Sequence, residues 1–199
     1  MKISLILGHP DPASFNHAIA AAARDALSAN GHRVFFHDLY QEDFPALLPA
    51  CEIPMNGPVD PRIASHCREI AEADGIVVVH PNWWGQPPAV LKGWIDRVIR
   101  PGVAYRFLEG DQGEGVPLGL LKARAAVVLN TANTPDKRER EVFGDPLALI
   151  WKNCIFDLCG VTNFHRRTFS TVVDSTPEKR AVWLAEVREM MDRHFPHGQ

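Results

Sequence analysis

Apolar residues in this chain fall into two kinds of stretch: short unbroken runs rich in Val and Ile, and longer segments whose apolar positions recur three and four apart. The first kind suits a strand buried on both faces of a sheet, the second a helix with one buried side. Residues 76–79 are a continuous β-branched run, and from Pro87 the pattern turns helical at Val90/Leu91, Trp94/Ile95 and Val98, so a strand feeds a helix there. The turn between them holds two adjacent tryptophans, an asparagine, a glycine and three prolines, a composition ill-suited to a plain surface loop.

The same reading extends along the chain. Residues 3–7 predict a first strand, stopped by Gly8-His9-Pro10-Asp11-Pro12. Ser14 then caps a helix whose stripe of Ile19, Ala22/Ala23 and Ala26/Leu27 runs out at Asn30-Gly31. Residues 33–37 predict a second strand, 38–61 an irregular loop, and 62–73 a helix with Ile63, Cys67 and Ile70 inward. After a helix over 88–99 comes a second irregular segment, carrying Tyr105, Phe107 and a Gly-rich acidic turn at 110–115. A strand over 125–129 ends in the polar turn Asn130-Thr131-Ala132-Asn133-Thr134-Pro135, whose small side chains leave backbone N–H groups accessible. Asp145-Pro146 opens a helix with Asp as N-cap and Leu147, Ile150/Trp151, Cys154/Ile155 and Leu158 on one face. A fifth strand falls within 161–170, and Ser175-Thr176-Pro177-Glu178 opens a last helix with Val182/Trp183, Val187 and Met190/Met191 buried.

Five strands alternating with five helices predict an α/β fold: one domain over residues 1–199, a doubly wound parallel sheet with helices on both faces. Ligands of such sheets sit beyond the carboxyl ends of the strands, where strand order reverses, which points to the loops at 8–16, 80–87 and 130–135.

Composition narrows the class of ligand. With 46% apolar residues the chain can bury a substantial core, and a net charge of −3 without any dense Lys/Arg run argues against nucleic acid or an anionic membrane as partner. Four cysteines without a CxxC pair and nine histidines without HExxH signal neither a metal site nor a redox dithiol, so reduced thiols in the cytoplasm are expected. The apolar start is five residues long, too short for a signal-peptide core or a membrane span.

The first loop lacks both the Gly-rich dinucleotide fingerprint and the P-loop pattern. A phosphate can still bind where Ser14, Phe15 and Asn16 open a helix, with Ser14 and Asn16 as side-chain donors and His9 as a further one. Together the tryptophan turn and the polar turn at 130–134 suit a planar heteroaromatic ring with one hydrogen-bonding edge, as in a flavin. Plainer readings stand beside these: Ser14 only as cap, His9 as an ordinary loop histidine, Trp83 and Trp84 as core plugs. His80 reads as a strand-end histidine satisfied by backbone, Lys92, Asp96 and Arg97 as an internal ion-pair set, and Cys154 and Cys159 as helix packing.

Gly8-His9-Pro10 with Ser14-Phe15-Asn16, then Pro81-Asn82-Trp83-Trp84, then the run from Pro88 to Val98, resembles the flavodoxin-like NAD(P)H:quinone oxidoreductases, and Asp38-Leu39-Tyr40 and Ala104-Tyr105 add to the likeness. It covers residues 1–107 well and the rest more loosely. The resemblance implies a flavodoxin-like fold and FAD as cofactor, with FMN as the alternative. His9, Ser14, Phe15 and Asn16 would hold the flavin phosphates; Pro81, Asn82, Trp83, Trp84 and the backbone of Asn130, Thr131, Ala132 and Asn133 would hold the ring. Trp84 matches a substrate-facing aromatic, and Tyr105 and Phe107 match aromatics that a second subunit contributes, which implies a homodimer. The reaction implied is a ping-pong hydride transfer from NAD(P)H to a quinone or similar aromatic acceptor. Some relatives instead serve as flavin-binding regulatory subunits of ion-transport systems, which is the alternative reading.

One departure stands out. Where the best-known quinone reductases carry two glycines, a tyrosine and a histidine, this chain has Ala132-Asn133, Lys137 or Arg138, and Phe143 before Gly144-Asp145. That relay is absent, so backbone N–H groups at 131–134 and the side chains of Asn133 and Thr134 are expected to take over its catalytic role, with Lys137 or Arg138 as charge partner.

Overall fold

The structure, a computed structural model, describes residues 1–54, 56–108, 110 and 115–198. Its strands are β1 (Lys2–Leu7), β2 (Arg33–Asp38), β3 (Gly75–Pro81), β4 (Tyr105–Arg106), β5 (Leu118–Gly119), β6 (Ala125–Ala132) and β7 (Phe164–Ser170). Five of them form one parallel sheet in the order β2-β1-β3-β6-β7, while β4 and β5 pair as a small antiparallel ribbon. The helices are α1 (Phe15–Ala29), α2 (Pro61–Glu72), α3 (Ala89–Val98), α4 (Asp136–Glu141), α5 (Pro146–Ala148), running on as a π-helix over Leu149–Asp157, and α6 (Pro177–His194).

Every residue of β3 and β6 is buried, because helices cover both faces. Alternate strand residues divide between them. Ile76, Val78, Ala126 and Val128 pack under α2, α3 and the α5 region through Ile63, Ile70, Leu91, Trp94 and Trp151. Val77, Val79, Val127 and Leu129 pack under α1 and α6 through Ile19, Ala23, Leu27, Trp183 and Val187. In register, Leu7 stands beside Asp38 and Val79, and Pro81 beside Thr131, so the carboxyl ends of the strands share one edge. From β1 the chain steps out to β2 and returns on the other side of β1 as β3, which places the reversal of strand order between β1 and β3.

Several local expectations need correction. β6 runs past residue 129: Asn130, Thr131 and Ala132 continue the ladder opposite Thr168, Phe169 and Ser170, so the polar turn starts only at Asn133. Asp145 precedes Pro146 as expected but lies in the left-handed region at φ 48°, and its carboxylate turns to Arg166 rather than capping the helix. Residues 136–141, given no element from sequence, form α4. Lys92 pairs on the surface with Asp96 at 2.6 Å, whereas Arg97 points inward and binds the buried carboxylate of Glu52, tying the 38–60 loop to α3. Val182 is exposed; Cys159 is buried and Cys154 exposed. Most of the turn expected at 110–115 lies outside the described residues. Among the described residues, no helix is long and apolar enough to cross a membrane.

Candidate active site

The turn after β1 delivers α1 with Ser14 as N-cap, its Oγ accepting from the His17 N–H at 3.4 Å. At the first helical positions the N–H groups of Phe15 and Asn16 have no partner within the helix and face outward with the positive end of its dipole. Asn16 is buried and its amide is engaged with the Thr131 hydroxyl at 2.9 Å, which locks the start of α1 to β6. The Ser14 hydroxyl lies 2.9 Å from His17 Nδ1. Both side chains expected to donate to a phosphate are therefore engaged inside the protein, and the backbone donors remain. His9 accepts the Asp11 N–H at Nδ1, which leaves its proton on Nε2, and burial lowers its pKa from the usual histidine value.

After β3 the chain makes a tight turn. Trp83 and Gln86 exchange backbone hydrogen bonds at 3.1 and 3.0 Å, with Trp84 and Gly85 between them at φ 58° and 72°. Two positive φ values at the central positions are the type I′ signature, natural for glycine and costly for tryptophan. Asn82 holds this turn from below: its backbone N–H donates to Thr131 O at 2.7 Å, its Oδ1 accepts from Gly85 N at 2.9 Å, and its Nδ2 donates to the buried Glu139 at 2.8 Å. A Cβ on Gly85 would meet Pro146 Cγ at 2.6 Å, so the turn is pressed against the start of α5. Trp84 is fully exposed, and the half-exposed Trp83 stands with its ring centre 5.9 Å from that of His9.

Beneath the turn lies His80, fully buried. Its Nε2 accepts from Asn130 Nδ2 at 2.8 Å and from the Trp151 indole at 2.9 Å, so the ring proton sits on Nδ1 and donates to Pro81 O at 2.8 Å. Burial pushes the His80 pKa down to about 4, and the ring stays neutral. Its surroundings give it a structural place: it joins β3, β6 and the π-helix.

These parts enclose a cavity of about 280 Å³ lined by His9, Ser14, Phe15, Asn16, Pro81, Asn82, Trp83, Thr131, Ala132, Asn133, Thr134 and Val172. A second, of about 420 Å³, adjoins it through Asn82 and Thr134 and is walled by Trp84, Arg138, Phe143 and Pro146. The Arg138 guanidinium lies over the Phe143 ring at 5.5 Å.

A family model described as a flavodoxin-like fold matches residues 1–194. The chain belongs to this flavodoxin-like family. A Haemophilus influenzae protein named an uncharacterized NAD(P)H oxidoreductase is 34% identical over 192 residues, which cover 93% of this chain and 92% of that one. The NAD(P)H:quinone oxidoreductase from Methanothermobacter marburgensis superposes with a TM-score of 0.82 at 25% identity, over 100% of this chain and 98% of that one. An FMN-dependent NADH-azoreductase from Bacillus anthracis, solved in complex with FMN, shares the fold at a TM-score of 0.77 and 16% identity, over 96% and 98% of the two chains. The resemblance read from the motifs of the first 107 residues is borne out.

Within this flavodoxin-like frame, most residues singled out from sequence meet around the first cavity, but not all. Asn130 is turned under it to His80, and Trp84 belongs to the neighbouring cavity. Tyr105, on the ribbon, meets Phe107 just past it edge-on with ring centres 5.9 Å apart, and neither lines either cavity. Asn133 accepts the Val173 N–H at 3.1 Å, and of the two proposed cations Arg138 reaches the site while Lys137 faces Glu141 at 3.9 Å. Glu139, which anchors Asn82, gave no signal: it sits in the charged run Asp136-Lys137-Arg138-Glu139-Arg140-Glu141, which reads as a solvated face.

One other cluster resembles a metal site at first sight. His37, Glu42 and His66 bring ligand atoms within 4.8 Å of one another. The Trp94 indole, however, donates to His66 Nδ1 at 3.2 Å, which keeps the ring proton on Nε2 facing Glu42, and His37 has a carboxylate at each nitrogen, Glu42 at 3.0 Å and Glu69 at 2.7 Å. As the structure stands, these side chains satisfy one another and their neighbours by hydrogen bonds.

Proposed function

We infer that the first cavity binds a flavin and that the protein is an NAD(P)H-dependent oxidoreductase passing a hydride to a quinone or similar aromatic acceptor. The observation that carries this reading is the joining, in one cavity at the strand reversal, of free helix N–H groups for a phosphate, an apolar tryptophan wall for a ring, and the polar edge of the β6 turn. The names of the relatives support the same chemistry and favour it over a regulatory role without turnover. A flavin there supplies the two-electron carrier that no side chain provides.

The residues divide the work. The backbone at Phe15 and Asn16 takes the phosphate, Pro81 to Trp83 support one face of the ring, and the N–H groups at 133–134, past the end of the β6 ladder, with the Thr134 hydroxyl meet the edge where charge develops on reduction. Trp84, Phe143 and Arg138 receive the nicotinamide and then the acceptor in the second cavity. FAD is our first assignment and FMN the alternative, since both present the same ring and phosphate. The exposed Trp84 and Phe107 support a homodimer in which a partner covers the open side, and the free cysteines support a reducing, cytoplasmic setting.

Steady-state oxidation of NADH and NADPH with a soluble quinone tests this reading. Turnover that requires both flavin and quinone, with parallel-line double-reciprocal plots, is expected. Flavin-loaded protein that leaves NAD(P)H untouched would contradict it.

A further inference from the structure

The flavin reading leaves unexplained a hydrogen-bonded chain that runs behind the phosphate position. Asp38, buried at the carboxyl end of β2, accepts the backbone N–H groups of Tyr40 and Gln41 on Oδ1, each at 3.2 Å. Its Oδ2 faces His17 Nε2 at 2.8 Å. A carboxylate only accepts, so that nitrogen carries the ring proton and, in the neutral ring, Nδ1 is bare. Ser14 Oγ lies 2.9 Å from Nδ1 and must point its hydrogen at it. Ser14 thus offers lone pairs, not a donor, to the cavity it lines.

A proton on Nδ1 reverses this bond. Nδ1–H then donates to Oγ, the hydroxyl hydrogen is free to turn into the cavity, and a positive charge stands behind it, balanced by Asp38. We propose that Ser14, His17 and Asp38 form a proton-coupled phosphate clamp: loading of the cofactor's phosphate takes up one proton at His17. His17 and Asp38 are positioning residues that act through the Ser14 hydroxyl. This proposal rests on the flavin reading.

The groups facing His17 are Asp38 from β2 and, from the turn before α1, His9 with its ring centre 6.2 Å away and Asp11 beside it. Burial lowers the pKa of His9 from the usual histidine value, and the His9→Gln variant separates its contribution from that of His17.

Dissociation constants for FAD, measured by fluorescence quenching between pH 5.5 and 8.5, test the clamp. FAD is the right probe because its pyrophosphate does not titrate there, whereas the FMN monoester does, near pH 6. If loading takes up one proton, wild-type protein is expected to bind FAD more weakly as pH rises, by up to about tenfold per pH unit. His17→Gln flattens the profile at the weak end. Asp38→Asn flattens it at the tight end, because the amide so introduced would donate to Nε2 and leave the ring proton on Nδ1 without uptake. Ser14→Gly, tolerated at an N-cap, also flattens it, and His9→Gln keeps the slope. Riboflavin, without phosphate, shows no such slope in any variant. Calorimetry in two buffers of different ionisation enthalpy reads the proton uptake directly.

The same FAD profile in wild type and His17→Gln, or no proton uptake, overturns the clamp alone. Uptake of no flavin at any pH overturns the clamp together with the flavin reading.

Discussion

In the turn that follows β1, each polar side chain is already engaged: Ser14 with His17, His17 with Asp38, Asn16 with Thr131, His9 with Asp11. In the turn that follows β3, the opposite holds at the tip. Trp84 takes a left-handed backbone and projects a fully exposed ring. The two turns face one pair of cavities, and the difference is the one that the proposed flavin would require. A charged group is recognised by donors whose orientation is fixed beforehand, since unpaired polar atoms near a core are costly. A flat apolar face needs only area, which stays idle until a ring covers it, and the strain is held by Asn82 and Gly85 below.

The largest effect is expected under the tryptophan turn rather than in it. His80→Leu strands the Asn130 and Trp151 donors in a buried site, at about 1–3 kcal/mol for each; urea unfolding should show a loss of about 3 kcal/mol or more with turnover reduced in proportion to folded protein. His80 also shapes the pH response. Its folded pKa of about 4 lies below the ordinary 6.5, so the unfolded chain takes up a proton that the folded one refuses. Stability from this group is complete above pH 6.5 and is lost as pH falls toward 4, by roughly 3 kcal/mol at most. A melting temperature that is flat over this range in wild type would contradict the buried neutral ring.

Gly85→Ala comes next. A left-handed φ and a Cβ 2.6 Å from Pro146 Cγ should together cost about 2 kcal/mol and displace the tryptophan wall, raising the KM for the acceptor. The smallest change sharpens the comparison most. Trp84→Gly should relieve the turn, raising stability by about 1 kcal/mol, while KM for an aromatic acceptor rises about tenfold and flavin affinity holds. A Trp84→Gly protein less stable than wild type would show that the exposed ring serves the fold.

How much of this was legible in the chain depends on the range of the signal. The runs at 76–79 and 125–129, the Ser14 cap and the Thr176 cap are local patterns, and each produced its element. Strand order is set by crossovers, which no local pattern encodes. Asn130 and Thr131 read as turn because they are polar, yet β6 carries them on, their side chains satisfied by His80 and Asn16. Glu139 and Glu52 gave no signal in the chain, and only the fold brings Asn82 and Arg97 to them. Most of the motif residues line the first cavity while Trp84, Tyr105, Phe107 and Asn130 do not, and the bonds that orient the others, Ser14 to His17 and Asn16 to Thr131, arise from side chains meeting in space.

The central claim is a flavin in the first cavity. An absorbance spectrum of the purified protein across the near-ultraviolet and blue, before and after NADH or NADPH, tests it most directly. Flavin bands that bleach on addition, with the released chromophore identified as FAD or FMN by mass, are the result this account predicts. A colourless protein that takes up neither flavin would contradict it.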